Sequence, residues 1–115
     1  MEAEIIKSPT TRTKLQEMAQ SRFGDLIKAV VDVEKEIMAV GMELHSDGEV
    51  MLAEQEGSKR EYTWGINLYP LKPKEEWIEL DSLINIKPAY GNRSRGVENP
   101  ETREKIKKIV SKLVV

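Results

Sequence analysis

Cysteine is absent from the 115 residues. That removes disulfides, thiolate nucleophiles and sulfur-ligated zinc or iron–sulfur sites. Histidine occurs once, at His45. First-row metals want several nitrogen or sulfur ligands, so no metal or cofactor is expected. Long apolar runs are also missing. None approaches the roughly 20 residues that cross a bilayer, and the opening MEAEIIK is acidic, without the apolar region of a secretion signal. A cytoplasmic protein with no membrane partner is the expectation. There is no GxSxG, Walker A, HExxH or Rossmann glycine pattern, so no catalytic residue is assigned and the reading leans away from an enzyme. A basic field is lacking too. The formal net charge is −2, so any anion must be held locally.

What is present suits one domain over residues 1–115. That length can bury a core unaided. Charged residues make up 33% and hydrophobic ones 39%, and the apolar residues are patterned, which argues against disorder. Residues 4–7 read as a short edge strand. Ser8-Pro9 reads as a helix start over about 9–23, with Leu15, Met18, Ala19 and Phe23 as its stripe and Gly24 as its stop. The run from Leu26 to Val40 is rich in β-branched residues. It predicts a hairpin, 26–33 and 36–41, reversing at Glu34-Lys35-Glu36. One long helix is the competing reading of the same spacing. Ser46-Asp47-Gly48-Glu49 reads as a capping box opening a helix that ends at Gly57, with a hairpin turn as the alternative. Residues 62–69 predict a strand whose Trp64, Ile66 and Leu68 face one way. Residues 77–87 alternate Ile78, Leu80, Ser82, Ile84 and Ile86 with polar residues, which predicts a partner strand and leaves Trp77 on the polar face. Asn99-Pro100 opens a last helix with Ile106, Ile109, Val110 and Leu113 as its stripe. Together these elements predict an α+β fold: a two-layer sandwich of about four largely antiparallel strands with three helices mainly on one face.

The strings VVDVEKEIMAVGMELH, TWGINLYP and SLINIKPAYGNRSRGVENPETREKI resemble a family of short uncharacterised prokaryotic proteins, a domain of unknown function. The resemblance covers most of the chain after about Ile27. It implies a prokaryotic, single-domain, cytosolic protein and assigns no site residue.

Several groupings could carry chemistry. His45 beside Asp47 reads more simply as structural or exposed than as a base. Asp32 with Glu34, and Glu79 with Asp81, share strand faces, which a solvated sheet explains as well as a carboxylate pair does. The loop from Leu83 to Gly96 is the most distinctive stretch. Lys87, Arg93 and Arg95 supply three cations, the arginines in a fork suited to phosphate or carboxylate. Gly91 and Gly96 permit close backbone approach, and Asn85, Asn92 and Ser94 add neutral hydrogen-bonding groups. The expectation is an oxyanion site of Lys87, Asn92, Arg93, Ser94 and Arg95 for a phosphate-bearing ligand, nucleic acid or nucleotide. Against it stands a turn whose arginines pair with the chain's own glutamates. A protein–protein module or homo-oligomer is the alternative function. If residues 1–7 leave a sheet edge open, a weak homodimer follows.

Overall fold

The computed structural model describes residues 2–115. It is an α+β fold around a five-stranded, wholly antiparallel sheet of order β1-β3-β2-β4-β5. The strands are β1 (Glu4–Ile6), β2 (Ile27–Asp32), β3 (Ile37–Val40), β4 (Thr63–Leu68) and β5 (Ile78–Glu79). The helices are α1 (Arg12–Gln20), α2 (His45–Glu56) and α3 (Pro100–Leu113).

The β2–β3 hairpin forms where the β-branched run places it. Its turn contains no Asn-Gly. Instead Asp32 accepts hydrogen bonds from the Glu34 and Lys35 amides at 2.8 and 3.0 Å, and Glu36 takes the left-handed conformation, φ 57°. A short acceptor side chain and one left-handed residue thus make the reversal that glycine would otherwise make. Residues 4–6 pair with β3, so the open edge on that side is β1, three residues long.

Alternation divides the sheet. Ala29, Val31, Met38, Val40, Trp64, Ile66 and Leu68 pack under α1 and α3. Val30, Ala39 and Ile37 face the other way, toward Leu52 of α2, Met42 and Ile84. Two helices therefore share one face and α2 covers the other. The apolar residues on both parities of β2 and β3 are the mark of strands buried on both sides. Gly48 lets α2 sit close, since a Cβ there would fall 2.8 Å from Val30 Cγ2 and 2.6 Å from Met42 Cε.

Four local expectations are corrected. Helix α1 starts at Arg12, capped by Thr11, whose Oγ1 accepts from the Lys14 amide at 3.1 Å. Residues before it stay extended because Thr10 bridges to Val114 beside the C-terminus. Helix α2 begins one residue before Ser46, with Leu44 in the cap position and no side-chain cap. The Glu49 carboxylate turns instead to Thr63 and Arg60. The strand expected over 77–87 survives only at Ile78–Glu79; beyond it lie 3-10 turns at Leu83–Asn85 and Pro88–Tyr90. Trp77 is buried rather than exposed, with the Arg12 guanidinium 4.0 Å above its ring.

Candidate functional site

The outer edge of β4 explains why 80–87 is not a strand. At Leu68 and Asn67 the edge pairs with Ile78 and Glu79 of β5, and the Tyr69 amide donates to the Trp77 carbonyl at 2.8 Å. At Gly65 the partner is a side chain. Asn85 Oδ1 accepts from the Gly65 amide at 2.8 Å, and Asn85 Nδ2 donates to the Gly65 carbonyl at 3.0 Å and to the Arg95 carbonyl at 2.9 Å. At Thr63 the partner is the Lys87 ammonium, which donates to the carbonyls of Thr63 and of Arg60. Two polar side chains thus do what strand backbone would have done, and pair the Gly65 amide and the Gly65 and Thr63 carbonyls.

Lys87 is buried and lies 4.0 Å over the Trp64 ring. Burial pushes its ammonium down to about 8; Glu49 pulls the other way and Arg60 adds to the fall. Asn92 is buried as well. Its Nδ2 donates to the carbonyls of Asn85, Ser94 and Gly96 at 2.8, 3.1 and 2.8 Å, and its Oδ1 accepts from the Glu98 amide at 2.9 Å. One amide side chain therefore closes the loop from 85 to 98.

The amides of Arg93 and Ser94 converge on a single oxygen, Glu98 Oε2, each at 2.8 Å. This is oxyanion-binding geometry, and the oxyanion is the chain's own carboxylate. The Arg93 amide, then the Ser94 hydroxyl, hold the Glu98 carboxyl below the ordinary range, with only a smaller pull from the Arg93 charge. A depressed folded pKa means that the contact's contribution is complete above the unfolded glutamate value, about 4.3, and is lost as pH falls through the lower folded value. The Arg93 and Ser94 amide protons are thus expected to titrate together in NMR spectra with a midpoint below about 4.3. In Glu98→Gln that titration should vanish. A shared midpoint at the unperturbed value would show that the carboxylate is not held.

Arg95 points elsewhere. Its Nε and Nη2 donate to Asp81 Oδ1 and Oδ2 at 2.8 and 3.4 Å, and the pair borders a cleft of about 350 Å³ between the start of α2 and the 81–84 segment. Lys28, Leu44, His45, Ser46, Asn67, Ser82, Leu83 and Ile84 complete the lining. Lys28 and Asn67 are register partners in β2 and β4, and Asn67 is in turn opposite Glu79. That row is the polar end of the sheet face under α2. Asn67 Nδ2 donates to Glu79 Oε1 at 2.8 Å, while its Oδ1 is buried with no hydrogen-bond partner among the described residues.

His45 is the first residue of α2 and packs against β4, where a Cβ on Gly65 would come within 3.1 Å of its Cγ. Its Nε2 lies 2.8 Å from the Ile66 carbonyl. A carbonyl only accepts, so Nε2 carries the proton and Nδ1 keeps its lone pair. Burial lowers its pKa; the Ile66 carbonyl opposes this, Lys28 adds to it, and Asp81 opposes it. The imidazole is therefore neutral at pH 7 and adds no charge to the cleft, leaving Lys28, Arg95 and Asp81 as its charged lining.

Of the five residues expected to form an oxyanion site, Arg95 alone reaches the cleft. Lys87 and Asn92 are committed to backbone carbonyls, Ser94 gives its amide to Glu98, and Arg93 lies exposed on the loop. Lys28 and Asn67 went unrecognised in the sequence, where Asp81 reads only as half of a carboxylate pair with Glu79. The signal of Lys28 and Asn67 is a lysine inside IKAVVD and an asparagine inside TWGINL, each a polar intruder in an apolar strand. It becomes legible only once the register sets the two side by side. Among the described residues, no group of three or more His, Asp or Glu is placed to hold a metal ion, and no helix is long and apolar enough to cross a membrane.

Comparison with known proteins gives a family model, described as a protein of unknown function (DUF5674), that matches residues 4–113. No curated protein and no solved structure matches.

Proposed function

The chain belongs to the DUF5674 family, whose description assigns no activity, and from the geometry we propose that it binds a small phosphate-bearing ligand in the cleft between α2 and the 81–96 segment. The observation that carries this reading is that two cations from distant parts of the chain, Lys28 of β2 and Arg95 of the loop, line one cleft. Arg95 spends two donors on Asp81 and keeps others for a ligand, since guanidinium has five N–H groups. Asp81 fixes the plane of the fork, as a positioning partner does. The first turn of α2, whose His45 and Ser46 line the cleft, adds the positive end of the helix dipole. A nucleotide suits this better than a nucleic-acid polymer. The net charge is −2, and phosphate after phosphate along a strand would need a basic face.

The test is calorimetric titration of the intact chain with inorganic phosphate, mononucleotides and short single-stranded RNA. Each charge-assisted hydrogen bond is worth about 1.5–3 kcal/mol, and a decade of affinity is about 1.4 kcal/mol. Lys28→Ala with Arg95→Ala is therefore expected to weaken binding by roughly two to four decades. Arg95→Lys should recover only part of it, because charge returns without the fork. Arg93→Ala should leave affinity unchanged. If Arg93→Ala removes binding and the cleft pair does not, the anion sits on the outer loop. If no anion binds at low salt, the reading is wrong.

A further inference from the structure

Leu44 and Leu83 line the same cleft and are 54% and 68% exposed. Neither belongs to either core cluster. Leu44 occupies the cap position of α2, where serine, threonine, aspartate or asparagine would serve the helix and leucine does not. Leu83 opens the 3-10 turn at Leu83–Asn85 and leans outward while its neighbour Ile84 is buried. Folding thus accounts for neither side chain, and both stand at a cleft whose charged lining is Lys28, Arg95 and Asp81. Small-molecule sites combine a mostly apolar lining with a few placed polar groups. Two wet leucines beside two cations match that arrangement.

We infer that the cleft takes a phosphomonoester with an apolar or flat body: the phosphate lies toward Lys28 and Arg95, and the body lies against Leu44 and Leu83. This rests on the anion-binding reading above and adds the chemical class of the ligand to it. His45, neutral and held by the Ile66 carbonyl, lines the cleft with an uncharged ring rather than a third cation. Asn67 fixes the polar end through its bond to Glu79.

The probes are inorganic phosphate, methyl phosphate, hexyl phosphate, phenyl phosphate and adenosine monophosphate, titrated into the full chain at low salt. Affinity is expected to rise from methyl to hexyl phosphate. Phenyl phosphate and adenosine monophosphate should exceed inorganic phosphate by roughly ten- to a hundredfold, the scale of burying a few carbons and part of each leucine. Leu44→Ser with Leu83→Ser should erase that gain and leave inorganic phosphate binding as it was. Both residues are exposed, so the variant keeps its fold, which its melting curve verifies. If phosphate binds and the body adds nothing, or the gain survives in the double variant, this inference falls and the anion reading stands. If neither phosphate nor any of its esters binds, both fall.

Discussion

Asn85→Leu is expected to destabilise the fold by about 3–5 kcal/mol, a large part of the roughly 5–15 kcal/mol that a domain has. The side chain is fully buried, and its amide serves three backbone groups: the Gly65 amide, the Gly65 carbonyl and the Arg95 carbonyl. Leucine has the same branching, but its methyls cannot sit 2.8–3.0 Å from backbone nitrogen and oxygen, so some overpacking adds to the lost hydrogen bonds. Each group left buried and unpaired costs about 1–3 kcal/mol, with relaxation recovering some. Asn85→Asp separates the roles. It keeps an acceptor for the Gly65 amide but loses both donations and buries a charge, so it should be at least as damaging at pH 7. It should recover in part at acid pH, where a protonated carboxyl can donate again. Urea unfolding monitored by circular dichroism gives the values, provided the slope is unchanged. A loss below about 1 kcal/mol for Asn85→Leu would mean that the edge of β4 does not depend on this side chain.

Asn85 also marks where the sequence stopped being readable. Helix α3 was legible because its signals are local: Asn99 accepts from the Glu101 and Thr102 amides, and the stripe of Ile106, Ile109, Val110 and Leu113 is buried as spaced. The β2–β3 hairpin and β4 were legible for the same reason, through apolar β-branched and aromatic runs. The errors came where a distant contact outvoted a local pattern. Ser8-Pro9 looks like a helix start, but Thr10 is held extended by the C-terminus. Ser46 and Glu49 have capping-box spacing, but Glu49 is taken by Thr63 and Arg60. Residues 80–87 alternate like a strand because Asn85 and Lys87 both reach the same edge of β4, so period two arose from side chains replacing a ladder. The loop's chemistry was legible and its geometry was not. Its amides do hold a carboxylate, but the carboxylate is Glu98. Its one arginine at the cleft shares the lining with Lys28, far away in sequence, and only the tertiary fold places both there.

Gly65→Ala is expected to disturb the fold and the cleft at once. A Cβ on Gly65 would stand 2.5 Å from Ser82 Cβ, 2.6 Å from Ser82 Oγ and 3.1 Å from His45 Cγ. Two of these are closer than atoms can approach, and none belongs to the end of a flexible chain. Ser82 is buried, and its amide donates to the Arg95 carbonyl at 3.0 Å, so pushing Ser82 away drags the loop that presents Arg95. Displacing His45 shifts the first turn of α2. Overpacking of this kind costs about 1–3 kcal/mol, and anion affinity should fall by at least a decade, since ligand groups must be held to within a fraction of an ångström. The decisive variant is Ser82→Gly in the Gly65→Ala background, because it removes both of the nearest atoms. Alone, Ser82→Gly should destabilise by losing the Oγ that accepts from the Ile84 amide at 3.2 Å and by loosening the chain. Combined with Gly65→Ala it should cost less than the two single changes added, with a favourable coupling of about 1 kcal/mol or more in a double-mutant cycle. Additive costs, or a Gly65→Ala protein with wild-type stability and an unmoved His45 ring resonance, would show that the contact of Gly65 with Ser82 and His45 does not shape the cleft.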